Sequence, residues 1–100
     1  MPTDTMNAQD IQPAMPPSML FHGTANRFVP SILAQGLLPG TRRHVTLAHD
    51  PHRAAVVGHR YGQAVVLTVH ALRMHDQGFR FYRDADGNWL TAHVPACFIR

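Results

Sequence analysis

The chain opens without either periodicity of a folded element. Over Met1–Ser18 polar residues alternate irregularly with prolines, and the stretch ends in the stiff Pro16-Pro17 pair, which reads as a flexible leader followed by one folded unit over residues 19–100. Met19-Leu20-Phe21-His22 is then an extended apolar run, expected to be a first strand halted by Gly23-Thr24. From Asn26 the spacing turns helical. Asn26 is placed to cap, Pro30 falls in the first turn, Phe28, Ile32 and Leu33 share a face, and Gly36 ends the element. Leu37–Thr41 is a turn, and His44–Ala48 a second strand.

The clearest helix start is Asp50-Pro51, an N-cap acid followed by proline at the first helical position. Ala54, Ala55, Val56 and Val57 supply an apolar face before Tyr61-Gly62 closes the helix. Ala64–Val69 (AVVLTV) is almost continuously apolar and β-branched, as in a strand buried on both faces. After a turn or helical stretch over Leu72–Gly78, the runs Phe79–Arg83 and Trp89–Val94 flank the polar loop Asp84–Asn88 and predict a hairpin. Phe79, Phe81 and Trp89 are its core residues; Pro95 ends it, and Phe98 and Ile99 pack a last short element. The order β-α-β-α-β-β-β predicts a small α+β fold. Because both helices come early, a split or strongly bent sheet is expected rather than a doubly wound one.

Length and composition set limits on this picture. One hundred residues with 45% apolar content make one globular domain with a small core, burying about 60–65% of the surface its unfolded chain would expose. The formal charge is +3, and all nine basic residues are arginine. An all-arginine set suits a phosphate-bearing partner, since guanidinium presents a planar fork of donors; a GC-rich genome gives the same bias with no functional meaning. His44, His49, His52 and His59 cluster in sequence, but Cys97 is the only cysteine and the paired spacing of a metal site is missing, so no metal is expected. A single cysteine excludes an intramolecular disulfide. With no apolar run of membrane length and no signal pattern, a cytoplasmic location without membrane contact is the expectation.

Three stretches together carry a resemblance: Leu20-Phe21-His22-Gly23-Thr24; Gly36-Leu37 through Arg42-Arg43-His44-Val45-Thr46-Leu47; and Phe81-Tyr82-Arg83 through Gly87-Asn88-Trp89-Leu90-Thr91. In this order and spacing, over about Met19 to Ile99, the chain resembles the RNA 2′-phosphotransferase (KptA) family. The resemblance implies an ADP-ribosyltransferase-like lobe that holds NAD as co-substrate, in an enzyme whose other, N-terminal lobe helps hold RNA bearing a 2′-phosphate left by tRNA-splicing-type ligation. It further implies that this phosphate attacks the nicotinamide ribose, expelling nicotinamide, and that ADP-ribose 1″,2″-cyclic phosphate leaves; no metal takes part.

By that resemblance His22, Gly23, Thr24 and Thr46 contact NAD and Arg42 is the catalytic residue at the RNA phosphate; Arg43, one position along, is the alternative to it, and Arg60 is a phosphate contact suggested by its place at a helix end rather than by the resemblance. Bottom-up chemistry agrees with several of these roles: a missing side chain at Gly23 would let a ligand amide approach the backbone, Thr24 adds a hydroxyl, and Arg60 complements a helix C-terminus. Arg83 is a further RNA contact to consider, and Trp89 a core or wall residue. Two departures stand out. The family's N-terminal lobe supplies an Arg-His pair and another arginine that nothing in Met1–Ser18 matches, which makes a separate N-terminal-lobe protein a candidate partner. Thr46 stands where the family carries a histidine, and a hydroxyl has no ring to stack or carry charge. Transfer of ADP-ribose to another nucleic acid or protein acceptor, and a non-catalytic NAD- or RNA-binding fragment, remain alternatives.

Overall fold

The computed structural model describes residues 11–100. Two sheets share one core. Strands β1 (Gln12–Pro13), β5 (Phe81–Arg83), β6 (Trp89–Thr91) and β3 (Val45–Leu47) form a four-stranded antiparallel sheet in that spatial order, while β2 (Leu20–Ala25) and β4 (Ala64–Val69) form a separate antiparallel pair. A single bridge joins them, in which Phe21 and Ala48 exchange N–H···O bonds of 2.9 and 2.8 Å. This is the split α+β sheet that the element order predicts.

Among the described residues there are three α-helices: α1 (Val29–Gln35), entered through a 3-10 turn at Asn26–Phe28; α2 (Pro51–His59); and α3 (Ala71–Asp76). Helix α2 starts as its sequence dictates, with Asp50 Oδ1 accepting the Arg53 N–H at 2.8 Å. Helix α1 stops at Gly36, whose φ of 81° only glycine adopts without strain. The core gathers Leu20, Leu47, Val69, Met74, Phe81, Trp89, Val94 and Phe98, so both sheets and α3 contribute to it. Trp89 is a core residue, with the Arg83 guanidinium 5.1 Å from its ring centroid.

Five expectations are corrected. The folded region reaches back beyond Met19: Met1–Asp10 lie outside the described residues, but Gln12 and Pro13 pair with Arg83 and Tyr82, and Pro16 is buried. Proline at a sheet edge loses no ladder bond, which is why so proline-rich a stretch still adds a strand. The first strand does not halt at Gly23-Thr24 but runs through both to Ala25. Asn26 does not cap α1; it lies within the 3-10 turn, its N–H held by the Gln63 carbonyl. Strand β4 is not buried on both faces, since only Leu67 and Val69 are fully enclosed. Finally, the residues of α2 that pack inward are Ala54 and Gly58, whereas Val56 and Val57 are exposed.

Candidate functional site

The last correction follows from how closely α2 approaches β2. A Cβ added at Gly23 would overlap the Ala54 carbonyl oxygen and stand 2.5 Å from its carbon, and one added at Gly58 would come within 2.7 Å of the Thr24 oxygen. Helix and strand therefore meet backbone to backbone, at a distance only glycine permits. Gly23 is needed for this packing, and it also lines the cavity that the helix fronts. With Ala54 and Gly58 turned inward, the neighbouring face of α2, made of Arg53, Val56, Val57 and Arg60, fronts a cavity instead.

That cavity encloses about 810 Å³, within the roughly 300–1,000 Å³ typical of small-ligand sites. Its floor is the seam between the two sheets: Phe21 to Thr24 from β2 on one side, Val45 to Ala48 on the other. Phe28 just before α1, and Gly36, Leu38 and Arg42 after it, contribute further lining. Of the residues singled out from sequence, His22, Gly23, Thr24, Thr46, Arg42 and Arg60 all line this one space, and Arg43 does not. Sequence reasoning missed Arg53, Tyr61 and the exposed apolar rim of Phe28, Val56 and Val57. The signal for Arg53 was present: it lies seven positions before Arg60, two turns along the same helical face.

Three guanidinium groups therefore face a cavity with no carboxylate among its described lining residues, which makes it a place for anions. His22 adds a neutral group. Its Nδ1 lies 3.4 Å from the Thr46 carbonyl oxygen, and because a carbonyl only accepts, Nδ1 carries the proton and Nε2 is left as an acceptor. Burial lowers the imidazole pKa from its ordinary 6.5, outweighing the opposing pull of that hydrogen bond, so the ring is uncharged at neutral pH. Thr24 is buried and Thr46 exposed, and both line the cavity. Across the mouth, Asn88 is fixed by Asp84, which accepts its backbone N–H at 2.9 Å and its side-chain amide at 3.2 Å. Among the described residues no group of three or more His, Cys, Asp or Glu side chains is arranged to hold a metal ion, and no helix is long and apolar enough to cross a membrane.

Comparison with known proteins bears on what this cavity serves. Residues 2–93 match the family described as RNA 2′-phosphotransferase, Tpt1 / KptA family. The chain belongs to that family. The RNA 2′-phosphotransferase match begins at residue 2, earlier than the resemblance read from the motifs. Among individual relatives, the probable RNA 2′-phosphotransferase of Acaryochloris marina is 51% identical over 90 residues, covering 90% of this chain and 50% of that protein. That of Burkholderia lata is 54% identical over 87 residues, covering 87% and 45%, and that of Pectobacterium carotovorum 50% over 88 residues, covering 88% and 47%. The chain spans about half the length of the curated RNA 2′-phosphotransferases it matches.

Proposed function

We propose that the chain is the NAD-handling lobe of an NAD-dependent RNA 2′-phosphotransferase, with the cavity as its active site. The observation that carries this reading is the convergence of His22, Thr24, Thr46 and Arg42 on one space lined by arginines and, among the described residues, by no carboxylate. In the reaction, a nonbridging oxygen of the RNA 2′-phosphate attacks C1″ of the nicotinamide ribose and nicotinamide leaves. The ribose 2″-hydroxyl then attacks the phosphorus. RNA departs with a free 2′-hydroxyl, and the phosphate leaves as ADP-ribose 1″,2″-cyclic phosphate.

Both partners of the first step are anionic, so the arginines have a defined task. Arg42 at the mouth receives the RNA phosphate, while Arg60 and the unanticipated Arg53 offset dinucleotide charge along α2. His22, neutral and with Nε2 free to accept, suits a ribose hydroxyl, and the Thr46 hydroxyl provides a donor where the family has a histidine. On this reading the half of the relatives that the chain does not cover contributes the rest of the grip on RNA, and the cytoplasm, where RNA and NAD meet, is the natural compartment.

The test is to incubate the purified chain with NAD and a 2′-phosphorylated oligonucleotide, following the cyclic product by mass spectrometry. Product that forms with the wild-type chain and falls at least a hundredfold in Arg42→Ala supports the reading, by the scale of losing one charge-stabilising donor. A melting midpoint indifferent to both NAD and the oligonucleotide refutes it, since a ligand that binds only the native state must raise that midpoint. Label from NAD retained on RNA or protein would instead indicate ADP-ribose transfer.

A further inference from the structure

The outward face of the four-stranded sheet carries a row of paired residues: Thr46 opposite Leu90, Leu90 opposite Tyr82, and Tyr82 opposite Pro13. The alternate positions Val45, Leu47, Phe81, Trp89 and Thr91 are buried, which fixes this row on the side away from the core. Tyr82 is half-buried, and its ring lies 5.7 Å from the His44 imidazole, tilted by 55°. His44 lines the arginine-rich cavity. Tyr82 lines a second one, of about 490 Å³, together with His75, Phe79, Arg80 and Pro13 to Met15 at and just after β1. The His44–Tyr82 ring pair thus joins a lining residue of one cavity to a lining residue of the other.

The second hollow has the makings of a nucleotide subsite. It is lined by Tyr82, which alternates with buried Phe81 and so lies on the outward face of the sheet, by the exposed Arg80 and by the exposed Met15, with no carboxylate among the described lining residues. Two strand spacings separate Tyr82 from Thr46, about 10 Å, which is the reach of an adjoining nucleotide rather than of the reacting one. Stacking on an aromatic ring with a guanidinium at the backbone is how single-stranded nucleic acid is held irrespective of base.

We propose that this second cavity binds a nucleotide adjacent to the 2′-phosphorylated one in single-stranded RNA, its base stacked on Tyr82 and its phosphate against Arg80. The proposal rests on the reading that the first cavity receives the RNA 2′-phosphate, and the experiment separates the two.

Affinity is measured by fluorescence anisotropy for a 2′-phosphorylated dinucleotide and for a longer single strand containing it. The longer strand is expected to bind the wild-type chain about tenfold tighter, the scale of one stacked base. Tyr82→Ala should erase that gain, Tyr82→Phe should keep it, and Arg80→Ala should reduce it, each variant being checked by thermal melting. In parallel, 4-thiouridine beside the phosphorylated nucleotide of the wild-type complex should cross-link to the peptide containing Tyr82. A length gain unaltered in folded Tyr82→Ala, or a cross-link mapping elsewhere, overturns the subsite; the phosphate reading survives if removing the 2′-phosphate, or Arg42→Ala, still weakens both ligands. If neither change matters, the reading of the first cavity fails and the subsite falls with it.

Discussion

Replacing Gly23 by alanine adds one methyl group, and the structure places it inside the backbone of α2. It would overlap the Ala54 carbonyl oxygen and lie 2.5 Å from its carbon and 3.0 Å from the Gly58 nitrogen, where real Cβ atoms keep at least 3.0 Å. No side chain can rotate aside to relieve this, so helix or strand must move by about an ångström. Overpacking typically costs about 1–3 kcal/mol and occasionally more; with backbone on both sides, the upper end, about 3 kcal/mol, applies. In a domain of this size each kcal/mol shifts the melting midpoint by about 4–8 °C, so a fall of roughly 12 °C or more is expected by circular dichroism. Gly58→Ala, with its nearest contact at 2.7 Å, should cost less, and Gly40→Ala, with nothing within 4 Å but a φ of 63°, only about 1 kcal/mol. A Gly23→Ala protein that melts within a few degrees of wild type, or above Gly58→Ala, would refute the backbone-to-backbone account of the cavity wall.

Three further outcomes follow from contacts of single residues. Because burial holds the folded His22 pKa below 6.5, the unfolded chain takes up the proton first as pH falls; this contribution to stability is therefore intact above 6.5 and is lost on acidification through the folded value. Melting midpoints between roughly pH 7.5 and 5.5 should drop more steeply for wild type than for His22→Gln, and equal slopes would contradict the assignment. Asp50→Ala removes the acceptor for the Arg53 N–H and should destabilise by about 1 kcal/mol in chemical denaturation, with Asp50→Ser restoring most of it. Asp84 accepts from the backbone N–H groups of Asp86 and Asn88 and from the Asn88 amide, so Asp84→Ala should cost about 1–2 kcal/mol and speed amide exchange at both positions, whereas unchanged protection would show the loop to be held otherwise.

What the sequence disclosed depended on whether the signal was local. The Asp50 cap, the Gly36 stop and the Asp84–Asn88 loop each act within a few residues, and all three are found as read. The grouping of His22 and Thr46 with Arg42 came from motif resemblance, since no periodicity brings β2 beside β3. Readings that needed tertiary knowledge failed in a consistent direction. Val56 and Val57 were assigned inward because they are apolar, but the Gly23–Gly58 contact draws the adjacent stripe of α2 against the strand and turns the valines to the cavity. The β1 pairing was hidden because prolines suppress the alternation that marks a strand, leaving only its partner, the Phe81–Arg83 edge, to specify it.

The lone exchange between Phe21 and Ala48 has a mechanical meaning. Elsewhere each sheet is laced along its length, but here two backbone bonds, with the His22–Thr46 hydrogen bond beside them, stitch the halves at the cavity lining. A molecule gripping both sides would act as a second stitch, so occupancy should be felt as a tightening of this seam long before it alters either sheet, and those two amides are where that tightening registers.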